Sequence, residues 1–104
     1  MPNDLNRVLE TQSLADIAAD LSGAGWATRA DGKAIEKRYQ FADFRAAMAF
    51  MMQASFEADS ADHHPEWFNV YNRVDVTLTT HDAGGVTERD LSLARAMEKI
   101  VASA

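Results

Sequence analysis

The run Val74-Asp75-Val76-Thr77-Leu78-Thr79-Thr80-His81 constrains this chain most tightly. Val74, Val76, Leu78 and Thr80 fall on one side of an extended backbone, and Asp75, Thr77, Thr79 and His81 on the other. A two-residue period fits a strand with one buried and one wet face, the habit of antiparallel sheets. The polar face is therefore expected to carry Thr79 and His81. A second run repeats the pattern: Ile35, Lys37, Tyr39 and Phe41 share one face, with Glu36, Arg38 and Gln40 opposite. Lys37 is the exception, a charge on the apolar side.

Residues 26–30 read as a strand that Asp31-Gly32 joins to residues 35–41 by a two-residue hairpin turn. Residues 67–71 read as another strand. Asn72-Arg73 fits either a tight turn before the next strand or a bend in one long one. Between the strands lie helical stretches. Ser13 is a candidate N-cap for a helix with Leu14, Ile17, Ala18 and Leu21 at helical spacing, ended by Gly23 and Gly25. Asp43 is placed to cap a helix running to about residue 59. Its stripe is Phe44, Ala47, Met48, Met51 and Ser55, broadened by Phe50 and Ala54. A helix apolar over so much of its circumference is usually covered on more than one side, and a second subunit is the expected cover. Met48, Met51 and Met52 read as packing residues. Thr87-Glu-Arg-Asp90 has the capping-box pattern, with Asp replacing the usual Glu. A last helix runs to about residue 102, with Leu91, Ala94, Met97 and Val101 inward. Residues 1–12 show no period and read as a loosely ordered lead-in. The order α-β-β-α-β-β-α predicts a two-layer α+β fold, an antiparallel sheet with three helices on one face. A length of 104 residues suits one domain with one core.

Composition narrows the function. There is no cysteine, which removes disulfides and thiolate metal sites. A net charge of −6, with Arg29, Lys33, Lys37 and Arg38 the densest basic group, disfavours phosphate-backbone binding. No apolar run reaches the roughly 20 residues of a membrane span. The opening Met-Pro-Asn-Asp-Leu lacks the basic-then-apolar order of a secretory signal, so a cytoplasmic location is expected.

All three histidines, His63, His64 and His81, lie between Asp59 and Asp90. Imidazoles titrate near neutral pH, so a pair facing a third across a pocket suits acid–base catalysis, with Asp59, Asp62 and Asp82 to orient them. Three His and one Asp would also serve as metal ligands, although adjacent His63 and His64 lack helical i, i+4 spacing. A purely structural set, bonded to carbonyls at a helix end, is the third alternative. By the same reasoning Asp90 can be a cap and Trp67 a core residue. Without cysteine, and without a serine in an elbow context, a covalent nucleophile is not indicated.

The spaced residues Asp59-x-x-x-His63-His64-Pro65, Tyr71, His81 and Asp90 resemble the signature of the pterin-4a-carbinolamine dehydratases. The text around them is similar too, from Pro65-Glu-Trp-Phe-Asn-Val-Tyr71 through Thr79-Thr-His-Asp-Ala-Gly-Gly85 to Thr87-Glu-Arg-Asp-Leu91. Phe41-x-Asp43-Phe44 marks the central helix, and the likeness runs from about residue 25 to residue 100. The resemblance implies a four-stranded antiparallel sheet with three helices, in homodimers or homotetramers. It implies dehydration of 4a-hydroxytetrahydropterin to quinonoid dihydropterin without metal or cofactor, in tetrahydrobiopterin recycling for an aromatic amino acid hydroxylase. His63, His64 and His81 would be the catalytic imidazoles, with Asp90 close by. Asp62, His63, His64, Thr79, Thr80, His81 and Asp82 would line the pterin, and Trp67 would form one wall. Some relatives also act as dimerisation cofactors of a transcription factor, which would make the apolar central helix a protein-binding surface.

Overall fold

The alternation over residues 74–80 is realised at the centre of the sheet. The computed structural model describes residues 5–10 and 13–104. Its elements are α1 (Leu14–Ile17), α2 (Ala19–Gly23), β1 (Ala27–Thr28), β2 (Ile35–Gln40), α3 (Phe44–Ser60), β3 (Glu66–Val70), β4 (Arg73–Leu78), a 3-10 turn (His81–Ala83) and α4 (Glu88–Ser103). The strands form one antiparallel sheet in the order β1-β2-β4-β3. This is the α+β architecture that the sequence predicts. Val74, Val76, Leu78 and Thr80 are buried under the helices. The register Trp67↔Val76 turns Trp67 to the same covered side, while Phe68 and Val70 lie on the open one. The chain between β3 and β4 is a turn at Tyr71-Asn72, with Tyr71 at φ 50°. Asn72 is locked there: its Nδ2 donates to the Phe41 carbonyl at 2.8 Å, and the Phe41 N–H donates to the Asn72 carbonyl at 2.8 Å.

Several local expectations are corrected. The first helix is broken at Ala18 (φ −153°, ψ 65°) into α1 and α2, and the Ser13 side chain makes no cap bond. Ala18 is 2% exposed, with its methyl in the core. Gly25 ends α2 as expected. Its φ of 105° permits the Schellman pattern, in which Gly25 N–H bonds Ser22 O (3.2 Å) and Trp26 N–H bonds Leu21 O (3.0 Å). β1 covers only two residues, and the hairpin loop is longer than Asp31-Gly32. Arg29 N–H bonds Ala34 O at 2.9 Å, and Gly32 N–H closes a turn on Arg29 O at 2.8 Å. Asp31 stiffens this loop by accepting from Arg29 and from the Lys33 N–H. Of the expected lead-in, residues 1–4, 11 and 12 lie outside the described residues. Leu9 is tied down, its N–H bonding Val86 O at 2.8 Å.

α3 begins where Asp43 accepts from the Ala46 N–H at 2.9 Å. Its inward residues are Ala47, Phe50, Ala54 and Ala58; of the expected stripe Ala47 is buried, Met48 and Met51 are half-buried, and Phe44 and Ser55 are exposed. Alanines at 47, 54 and 58 let the helix lie close to α4 and β4. Phe50 fills the remaining space against Tyr39 and Phe41, with ring centroids 4.7 and 5.2 Å away. The larger Phe44, Met52 and Phe56 are left outside. α4 follows its pattern, with Leu91, Leu93, Ala94 and Met97 buried and Val101 half-buried. Among the described residues no helix is long and apolar enough to cross a membrane.

The inward charge of Lys37 is answered by Glu98 of α4. Lys37 Nζ donates to Glu98 Oε2 at 2.8 Å and to the Ala24 carbonyl at 2.6 Å. Trp26 Nε1 (3.1 Å) and the Tyr39 hydroxyl donate to the same Oε2. Partial burial pushes the Glu98 carboxyl up, but the bonds from Lys37, Tyr39 and Trp26 outweigh it and hold Glu98 below the ordinary carboxylate range. Burial, and then Glu98, push the Tyr39 phenol well above its usual value. A depressed carboxylate stabilises the fold fully above its unfolded pKa, and that contribution is lost as pH falls through the folded one. Replacing Glu98 by Ala is expected to cost about 2–3 kcal/mol, read from denaturant midpoints near neutral pH. Glu98→Gln should remove its share of the acid-side loss of stability, making the midpoint flatter below pH ~4.5 than in the parent chain.

Candidate active site

The end of α3 aims the first histidine. Asp62 sits at φ 51°, a conformation that Asp tolerates better than most residues. It completes a second Schellman pattern: Asp62 N–H bonds Asp59 O at 3.1 Å, and His63 N–H bonds Ala58 O at 3.0 Å. The backbone of His63 is thereby part of the helix cap. Its side chain points at α4, where Nε2 lies 2.6 Å from Asp90 Oδ1. The His63 side chain is 11% exposed and that of Asp90 is fully buried.

Asp90 is bound from three sides. Its Oδ2 accepts from the Thr87 N–H at 2.9 Å, one half of the capping box that starts α4. The same oxygen accepts from the Thr80 hydroxyl at 2.8 Å, and Thr80 Oγ1 lies 2.8 Å from Thr87 Oγ1. A carboxylate accepts but does not donate, so neutral His63 carries its proton on Nε2 and presents Nδ1 elsewhere.

The other imidazoles stand in the open. His81 starts the 3-10 turn, which closes on Gly84 at φ 82° and is braced by a Thr80–Gly85 bridge. His81 Nε2 lies 2.6 Å from Glu66 Oε2, whereas His64 Nε2 is 3.4 Å from Asp59 Oδ1. Glu66 was not among the residues singled out in the sequence. Two residues beyond the His pair and on the next strand, it meets His81 only through tertiary placement. Thr79 donates to the Lys33 carbonyl at 2.6 Å, tying the end of β4 to the first hairpin.

Asp62, His63, His64, Thr79, Thr80, His81 and Asp82 line one cavity of about 250 Å³. Two of the expected residues lie outside it. Asp90 is behind His63, and Trp67 lines an adjoining cavity of about 400 Å³ with Phe56, Pro65 and His64, so His64 stands between the two. A broader groove of about 910 Å³ on α4 holds no imidazole, and its Arg95 is already engaged by Asp20. Among the described residues, no three His, Asp or Glu side chains are grouped to hold a metal ion. Because Asp90 both caps α4 and bonds His63 and Thr80, Asp90→Ala should lower the unfolding free energy by about 3 kcal/mol in denaturant titrations. Asp90→Asn keeps an acceptor for the Thr87 N–H and should cost roughly half as much.

A family profile described as pterin 4 alpha carbinolamine dehydratase matches residues 8–100. A Rhizobium leguminosarum bv. trifolii protein is 53% identical over 95 residues, covering 90% of this chain and 94% of its own. One from Novosphingobium aromaticivorans is 58% identical over 76 residues, covering 73% and 79%. Both are provisionally named pterin-4-alpha-carbinolamine dehydratases. The crystal structure of a transcriptional coactivator/pterin dehydratase from Brucella melitensis superposes with a TM-score of 0.77 at 45% identity, covering 90% of this chain and 97% of that one. With the profile spanning nearly the whole sequence and relatives more than half identical, the chain belongs to the pterin 4 alpha carbinolamine dehydratase family.

Proposed function

We propose that this chain is a hydro-lyase that dehydrates 4a-hydroxytetrahydropterin to quinonoid dihydropterin by histidine acid–base catalysis. The observation that carries this reading is the meeting of His63, His64 and His81 around one cavity in a chain of this family. In the reaction the C4a–O bond breaks and the hydroxyl, protonated by an acid, leaves as water. The N5 proton goes to a base, and its bonding pair forms the N5=C4a double bond. No electrons are exchanged with a second reactant, so the step needs no redox cofactor. His63 or His64 supplies the proton to the hydroxyl, and the remaining imidazoles take the N5 proton and hold the ring. Asp62, Thr79, Thr80 and Asp82 offer polar contacts to the heterocycle, with Trp67 flanking from the adjoining cavity. Asp90 acts through His63: the buried carboxylate accepts from Nε2 and so fixes the orientation and tautomer of the ring, the logic of a carboxylate–histidine pair in acyl transfer. Physiologically, the product returns to the pterin pool of an aromatic amino acid hydroxylase.

The test is the rate of dehydration of carbinolamine generated in place by a phenylalanine hydroxylase, compared with the spontaneous rate. Loss of the acid histidine should lower the enzyme-dependent rate about 10²-fold, a typical contribution of one general acid. Unchanged rates in His63→Ala, His64→Ala and His81→Ala alike would refute histidine catalysis.

The exposed apolar side of α3 supports a homodimer or homotetramer, with a secondary role as a dimerisation cofactor of a transcriptional regulator. Phe44, Met52 and Phe56 are 47%, 63% and 66% exposed there. The coactivator name of the Brucella melitensis structure agrees with such a side role for that protein. No nucleic acid or membrane enters this reading. Met52→Glu with Phe56→Glu should move the native mass to a smaller species in sedimentation, with secondary structure retained. An unchanged oligomer would place its interface elsewhere.

A further inference from the structure

We propose that Glu66 is the positioning residue of His81, setting which ring nitrogen that imidazole presents to the cavity. The proposal deepens the dehydratase reading and rests on it for its kinetic consequence. The three imidazoles differ in how they are held. His63 is fixed by a buried carboxylate, His64 is loosely paired at 3.4 Å, and His81 has a 2.6 Å contact to Glu66. His81 lines the cavity and Glu66 does not, so Glu66 acts on a substrate only through His81.

Both partners start from fixed backbone. Glu66 opens β3 in register with Thr77 of β4, and His81 opens the turn closed by Gly84 and the Thr80–Gly85 bridge. Arg29, a cation within the field of Glu66, is engaged by both oxygens of Asp31 at 3.0 and 2.9 Å, which leaves Glu66 for the imidazole. The side chains of His81 and Glu66 are 79% and 51% exposed. A pair so wet contributes little to folding, so its removal should leave the fold intact. Its effect is on protonation geometry. Glu66 is only an acceptor when ionised, so the neutral ring keeps its hydrogen on Nε2 and leaves the Nδ1 lone pair for proton exchange. Without that acceptor the ring is free to change tautomer and to rotate.

The experiment uses the full chain labelled with ¹⁵N at histidine. Long-range ¹H–¹⁵N spectra at alkaline pH, where free imidazole is neutral, read the tautomer of each ring. In the parent protein His81 should show a single Nε2–H form. Glu66→Ala should move its ¹⁵N shifts towards those of free imidazole, with His63 unchanged as an internal reference. Glu66→Gln retains a carbonyl acceptor and should keep the parent tautomer. Glu66→Ala should lower kcat roughly three- to tenfold with KM within about twofold, and Glu66→Gln should recover part of the loss. Parent-like His81 shifts in Glu66→Ala would overturn the proposal, whether or not activity fell. A tautomer shift in a chain with no dehydratase activity in any form would uphold the positioning and overturn the functional reading instead.

Discussion

The carboxylate of Asp90 joins three segments that are distant in sequence. One oxygen closes the capping box of α4 and holds the Thr80 hydroxyl just beyond β4; the other holds His63 just after α3. A buried carboxylate is expensive unless its acceptor sites are filled, and here each oxygen has a donor. The local signal that starts a helix is therefore also the contact that orients an imidazole. Thr80 and Thr87 support it: their hydroxyls lie 2.8 Å apart and hold the Oδ2 side fixed. This arrangement needs Thr80 buried, which the alternation of β4 ensures by placing it in line with Val74, Val76 and Leu78.

The opposite side of the helical layer is held by another acidic knot of different design. Glu98 gathers Lys37, Tyr39 and Trp26 on one oxygen, and so fastens α4 to β2 and to the residue following the cap of α2. The two knots lie about two turns apart along α4, one near its start and one in its second half. They fix the helix against both sliding and rotation over the sheet. Between them Leu91, Ala94 and Met97 supply non-directional burial.

What the sequence made legible follows from how local each cause is. The Thr87–Asp90 box, the Asp43 cap and the strand alternation depend on neighbouring residues, and each is present in the structure. The break at Ala18 leaves no such trace, because alanine is the best helix former and lies on the apolar stripe of an unbroken helix. On α3 the apolar pattern picks out Ala47, Phe50 and Ala54, which are buried, together with Phe44, which is exposed, because hydrophobicity alone does not rank the positions. Close approach of the helix favours alanine inside at 47, 54 and 58, with Phe50 the one large side chain buried and Phe44, Met52 and Phe56 outside. The histidine cavity was legible as a cluster of residue types, chiefly through the family resemblance. Which carboxylate serves which ring was not. Asp59, Asp62 and Asp82 were the carboxylates expected to orient the rings, and the resemblance placed Asp90 close by; the short contacts come from Asp90 to His63 and from Glu66 to His81.

The cap at Asp62 ties the length of α3 to the direction of a side chain. His63 is part of the Schellman pattern, so its bearing is counted in residues from the start of the helix at Asp43. Each residue turns an α-helix by about 100°, and one inserted or deleted within α3 would swing the cap, and His63 with it, away from Asp90. For the bearing of His63, the residue count of α3 matters and the composition of its outward face does not. Within this fold, α3 therefore also serves the site as a spacer of fixed length.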